Sequence, residues 1–148
     1  MTTSAMSAER HPPAGSVLFD VMQSFVSSFA VIAAAELGIA DVLAGGQRTA
    51  EEVAKAIDAH PASVGRLLRV LTPAGVVAET EPGRFGLTPM GASLQTGAAG
   101  GVAPGLQLLT RFVLRALAET PYSIRTGTPA FERVFGMPLY DFLEAHPE

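Results

Sequence analysis

TAEEVAKAIDAHPASVGRLLRVLTPAG, Thr49 to Gly75, holds two short helices separated by a tight turn, the arrangement by which bacterial repressors read DNA. Thr49 and Glu52 have capping-box spacing, in which the two side chains satisfy backbone donors that no helical carbonyl can reach. A helix from Ala50 to about Ile57 follows. Pro61 suits the first turn of the next helix, where its missing N–H has no intrahelical partner to lose. Val64, Leu67, Leu68 and Leu71 recur at helical spacing as a buried stripe, and Arg66 and Arg69 point elsewhere. Pro73 disfavours helical backbone at Thr72, so this helix ends or kinks there.

The next segment, VVAETEPGRFGLT, reads as a hairpin. Pro82-Gly83 fits the centre of a type II turn, because Pro presets the first backbone angle and Gly accepts the positive second one. Strands Val76 to Thr80 and Arg84 to Thr88 flank it. Thr88-Pro89 then reopens a helix, as cap and first-turn proline, through Leu94. Two helices followed by a two-stranded wing make a winged helix. The expected fold is therefore mainly α: a winged helix-turn-helix with a small β-hairpin wing and flanking helices.

Upstream, Val17, Val21, Phe25 and Phe29 recur every fourth residue between Ser16 and Phe29, and Leu18, Met22 and Val26 widen the stripe. That apolar surface is too broad for one neighbour, so this helix is expected to lie between two partners, one of them another chain. A second helix is expected from Ala30 to Leu37, stopped by Gly38. IADVLAGG adds a short helical turn that closes at Gly45-Gly46. Downstream, GAAGGVAPG, Gly97 to Gly105, is the one glycine-rich loop. A phosphate cradle needs a buried strand before the glycines and a helix after them. The preceding segment ends in the polar LQT, so the loop reads as a connector. Helical segments from Leu106 to Thr120, then PAFERVF and PLYDFLEA on either side of Gly136, complete the chain.

Composition narrows the function. The 148 residues are 48% hydrophobic, enough for one sizeable core, and 10 basic against 14 acidic side chains leave a net charge of −4. No long-range field draws the chain to a polyanion. The absence of cysteine excludes disulfides and thiolate chemistry and agrees with a reducing, cytoplasmic setting. His11, His60 and His146 lack metal-ligand spacing and read as surface imidazoles. No run reaches the roughly 18 consecutive apolar residues of a membrane helix, since Glu36 and Asp41 interrupt the most apolar stretch. The first residues, MTTSAMSAERHPPAG, lack the pattern of a signal peptide and read as a frayed tail.

In order along the chain, AAELGIADVLAGG, TAEEVAKAI, RLLRVL, GVVAETEPGRFGLTPMGASL and RTGTPAFERVFGMPLYDFLEAHPE resemble landmarks of one family. It is the S-adenosylmethionine-dependent O-methyltransferases of plant phenolics and bacterial polyketides. The resemblance spans about Ser16 to Glu148 and covers the N-terminal half of such enzymes. It implies a winged-helix region that forms a homodimer and covers a pocket for a small aromatic or polyketide substrate. A following doubly wound domain, absent from these residues, would bind S-adenosylmethionine and supply the catalytic His. No catalytic, cofactor-binding or metal-binding residue is expected in this chain.

The resemblance also implies residue roles. Val17, Val21, Met22, Phe25 and Phe29 would form the dimer interface, with Met22 or Phe25 reaching the partner's pocket. Leu108, Phe112, Val113, Leu139 and Leu143 would contact substrate, although apolar residues at such spacing also make plain core. Leu117 stands where many relatives carry Trp, and Pro73 where many carry a small residue. The expected organisation is a tail over residues 1–14, a winged-helix dimerisation domain over 15–97, and helical segments over 98–148 that lead toward the catalytic domain. Two alternatives stand beside this reading. One is a DNA-binding regulator using Arg66, Arg69 and Arg84; the other is a non-methylating relative. The first expectation excludes nucleic acid and membrane as partners.

Overall fold

A computed structural model describes residues 14–146. The reading of the first residues as a tail, and the position of His11, lie outside them. Helix α1 (Ala14–Glu36) is one unbroken helix of 23 residues, not the two expected on either side of Phe29. Nothing in VSSFAVIA breaks the ladder, because Ser24, Ser27 and Ser28 turn their hydroxyls back onto the carbonyls of Val21, Gln23 and Ser24. Short α2 (Ile39–Ala44) follows and buries Ile39, Ala40 and Leu43.

The helix pair forms as its sequence predicts. In α3 (Ala50–Ala56) the capping box is complete: Glu52 N–H donates to Thr49 Oγ1 at 3.2 Å, and Thr49 N–H donates to Glu52 Oε2 at 2.7 Å. Thr49→Ala is expected to cost about 1 kcal/mol, read as a lower urea midpoint with unchanged slope. Helix α4 (Pro61–Leu71) opens on Pro61 and buries Val64, Gly65, Leu68 and Leu71. Gly65 lets α3 approach, since a Cβ there would stand 3.4 Å from that of Ala50.

The wing gains a strand that the sequence does not announce. Strands β2 (Val77–Glu81) and β3 (Arg84–Leu87) form the expected hairpin around Pro82-Gly83, and Gly83 takes the positive φ of +76° that a type II turn demands. A two-residue strand β1 (Arg48–Thr49), just before α3, pairs antiparallel to β3 and gives the sheet order β1-β3-β2. Arg84 ties the same edge to α3, donating to the Gln47 carbonyl at 3.0 Å and lying 3.8 Å from Glu52. After the wing, Thr88 Oγ1 accepts from Gly91 N–H at 3.0 Å, as a cap does, but the turn it opens (Gly91–Leu94) is 3-10 rather than α.

One core joins these elements. Leu68 and Leu71 of α4 pack with Ala30 and Ala34 of α1, Ile39 and Leu43 of α2, Val53, and Val77 and Phe85 of the wing. The remaining residues build a second, smaller core. Helices α5 (Ala103–Leu108) and α6 (Leu114–Leu117) are joined by a π-helical turn over Leu109–Val113. Then come α7 (Thr120–Thr126), absent from the sequence reading, α8 (Ala130–Phe135) and α9 (Leu139–Ala145). Helix α7 escapes notice because only Ile124 and Tyr122 mark it, and Ile124 faces solvent at 81% exposure. Phe131 and Phe142 centre this core, and Leu106 of α5 packs against the first.

Candidate functional site

Two features of the surface are unlike the rest. The first is the leading half of α1. Residues 15–26 are all exposed, and Phe25 shows 62% of its surface. Val17, Val21, Met22, Phe25 and Phe29, the expected interface residues, are all open, and so are Leu18, Phe19 and Val26. Within the chain, the Phe25 and Phe29 rings meet tilted at 58°, with centroids 4.7 Å apart. Burial begins only in the second half, at Ala30, Ile32 and Ala34, where α1 meets α2, α4 and α5. Eight large apolar side chains on one helix form a patch of the kind that soluble chains cover with a partner. By length and composition, Gly15–Glu36 also meets the requirement for a bilayer-spanning helix.

The second feature is a cleft of about 470 Å³ at the root of that arm. Ser27, Ser28 and Val31 of α1 form one wall, and Ala74 and Val76, where α4 gives way to the wing, form another. Met90, Ser93 and Val102 close the far side. No charged side chain lines it. Its hydroxyls are spoken for: Ser28 Oγ donates to the Ser24 carbonyl at 2.8 Å, and Ser93 Oγ to the Met90 carbonyl at 2.7 Å. The cleft is therefore apolar in effect, because a hydroxyl bonded to its own backbone asks little of water. Sequence reasoning missed it, since its walls come from four separated segments and no periodicity connects them.

The five expected substrate residues lie apart from this cleft. The Phe112 ring meets Phe142 at 5.0 Å and Phe135 at 5.9 Å, and Leu139 packs on the same cluster. Leu108, Val113 and Leu143 are half-buried and stand outside that cluster. The structure brings Phe112 and Leu139 together in this cluster. Phe142 also carries the His146 ring, stacked at 4.2 Å, and its carbonyl lies 2.8 Å from His146 Nδ1.

Among the described residues no parallel strand leads into a glycine loop and a helix. A nucleotide-like methyl donor needs a parallel strand, a glycine loop and a helix N-terminus, with a carboxylate for the ribose. The strands described are all antiparallel, and the glycine loop follows the 3-10 turn instead of a strand. Among the described residues no group of three His, Cys, Asp or Glu side chains could hold a metal ion. Two of the three arginines of the DNA-reading alternative already have partners within the chain. Arg84 is engaged by Glu52 and the Gln47 carbonyl, and Arg66 donates to Ser63 Oγ at 3.1 Å.

A sequence profile described as the O-methyltransferase dimerisation domain matches residues 19–97, a stretch that includes most of the α1 arm and all of the winged helix. A phenazine O-methyltransferase of Lysobacter antibioticus is 35% identical over 136 residues, covering 92% of this chain and 40% of the relative. The solved N,N-8-amino-8-demethyl-D-riboflavin dimethyltransferase of Streptomyces davawensis superposes with a TM-score of 0.80 at 34% identity, over 92% of this chain and 41% of its own. An O-methyltransferase from neocarzinostatin biosynthesis, solved with S-adenosylmethionine and 2-hydroxy-5-methyl naphthoic acid, gives 0.67 at 37% identity, covering 81% and 38%. The chain spans about two fifths of the length of the curated relatives it matches. The DNA-reading alternative finds no support among these relatives.

Proposed function

Because this chain belongs to the O-methyltransferase dimerisation-domain family, we propose that it is the homodimerising, substrate-covering part of an S-adenosylmethionine-dependent methyltransferase of secondary metabolism. Its substrate is a small aromatic or polyketide hydroxyl. Residues 15–97 are the dimerisation unit, and residues 98–148 lead toward a catalytic domain that binds the donor and supplies the general base. Taken alone, the chain neither binds S-adenosylmethionine nor catalyses transfer. Phe112 and Leu139, with Leu108, Val113 and Leu143 beside them, form the side of the second core that faces substrate when that domain is present.

The observation that carries this reading is the bare apolar half of α1 in a domain of a dimerising family. A second copy covers it better than a bilayer does. Asp20 and Gln23 sit in the middle of the exposed half, and burying a carboxylate in hydrocarbon costs several kcal/mol. Nucleic acid is not a partner, because a chain of net charge −4 has no long-range field drawing it to phosphates. The chain acts in the cytoplasm.

Thermal melts of the isolated chain test both halves of the proposal. The melting temperature is expected to rise with protein concentration, as it must when the native state is a dimer. Added S-adenosylmethionine is expected to leave it unmoved. A melting point independent of concentration contradicts the dimer, and one raised by micromolar donor contradicts the division of labour.

A further inference from the structure

We propose that the cleft at the root of the α1 arm is a binding site for a small, neutral, fused-ring aromatic molecule, separate from the Phe112 and Leu139 side of the second core. The proposal does not rest on the homodimer. At about 470 Å³ the cleft falls in the range of roughly 300–1,000 Å³ that small-molecule sites occupy. Its floor is part of the first core. Val76 and Leu94 lie there at 4% and 5% exposure, and the Val76 carbonyl is held by the N–H and the hydroxyl of Thr88. Ser27, Ser28, Ala74 and Ser93 keep the walls small, so the chain's own side chains do not fill the space. At the rim, Met90 and Val102 remain 53% and 46% exposed.

The lining selects the class of ligand. It carries no charged side chain, so an ion moved into it would lose its hydration with no counter-charge in return. The hydroxyls of Ser27, Ser28 and Ser93 already donate to the carbonyls of Gln23, Ser24 and Met90, and a sugar or a peptide finds no free hydroxyl proton among them. Water is held poorly for the same reason, because an ordered molecule needs roughly 2–4 polar partners. What the cleft offers is burial of apolar area. A rigid ring system gains that burial without freezing rotors, whereas an acyl chain of equal size must give up the freedom of each bond it immobilises. Met90 favours a ring for a second reason. Its unbranched thioether adapts to the shape of an incoming molecule, and its sulfur makes favourable contacts with aromatic carbon.

Titration of the intact chain with N-phenyl-1-naphthylamine, a neutral fused-ring fluorophore, tests the site. Probe emission is expected to rise and shift to shorter wavelength along a saturable isotherm, with one probe bound per chain. The chain has no tryptophan, so Val102→Trp places a single indole at the rim, and energy transfer from it to the probe is expected to saturate along the same isotherm. Ser28→Phe and Ala74→Leu fill the cleft from opposite walls, and each is expected to weaken binding by about tenfold or more. Ser28 is exposed on α1, so its replacement leaves the core intact. Absence of a saturable isotherm overturns the proposal. Binding that neither filler weakens also overturns it, since the probe then sits elsewhere, as on the bare arm of α1. Binding that appears only in Phe25→Asp overturns it too, because a second copy then occupies the cleft, and in that case the homodimer stands.

Discussion

Gly91→Ala is expected to destabilise the chain by about 3–5 kcal/mol, seen as a fall of roughly 10–20 °C in melting temperature. The reason is space, not backbone conformation. A Cβ at position 91 would stand 2.0 Å from the Val76 carbonyl oxygen and 3.1 Å from Leu87 Cδ2. The carbonyl cannot yield freely. The Val76 carbonyl accepts from Thr88 N–H at 3.2 Å and from Thr88 Oγ1 at 3.1 Å, and Val76 N–H donates to the Leu71 carbonyl at 3.1 Å. The turn at Gly91 is thus clamped onto the start of β2, and a methyl group must separate the two. Each backbone hydrogen bond lost adds about 1 kcal/mol to the overpacking cost. Gly83→Ala is the control: nothing lies within 4 Å of its would-be Cβ, and only its φ of +76° resists, at a cost of roughly 1–2 kcal/mol. Equal losses at the two sites would contradict the packing described.

Phe25→Asp is expected to weaken self-association by roughly 10²- to 10⁴-fold. Burying one such side chain contributes roughly 1.5–3 kcal/mol, and symmetry removes it twice, while each 1.4 kcal/mol is tenfold in the dissociation constant. A carboxylate stranded in an apolar seam adds to the loss. Within its own chain the Phe25 ring touches only the Phe29 ring among the ring contacts described, and 62% of the residue is exposed, so the substitution leaves each subunit's core intact. Far-ultraviolet circular dichroism of the variant should therefore match the wild type. Sedimentation velocity across a concentration series checks the shift. An unchanged association constant removes α1 from the interface.

The parts of the fold that were legible in the sequence are those where short-range chemistry decides. Thr49 and Glu52 fix a helix start by themselves, Pro61 fixes another, and Pro82-Gly83 fixes a turn. The apolar face of α1 was also legible, because seven large side chains at helical spacing need no tertiary context to stand out. What escaped depends on contacts between distant segments. Strand β1 is two residues long and exists only because β3 passes beside it. The continuity of α1 through Phe29 reflects serines bonded to their own helix, which composition cannot distinguish from serines that end one. The cleft needed residues 27–31, 74–76, 90–94 and 102 to meet. Candidate substrate residues are the least legible, since a stripe such as Leu139 and Leu143 describes a core and a pocket wall equally. The resemblance supplied the family, and a helix-turn-helix on an acidic chain is explained by it: the pair is packing architecture, with α4 pointing Leu68 and Leu71 inward at 0% exposure.

The bare half of α1 exists to be covered by a second copy of this chain. Static light scattering of the wild-type chain at low micromolar concentration tests it most directly. The expected mass is twice that of the 15.4 kDa chain, unchanged on tenfold dilution. A well-folded monomer of 15.4 kDa under those conditions would contradict it.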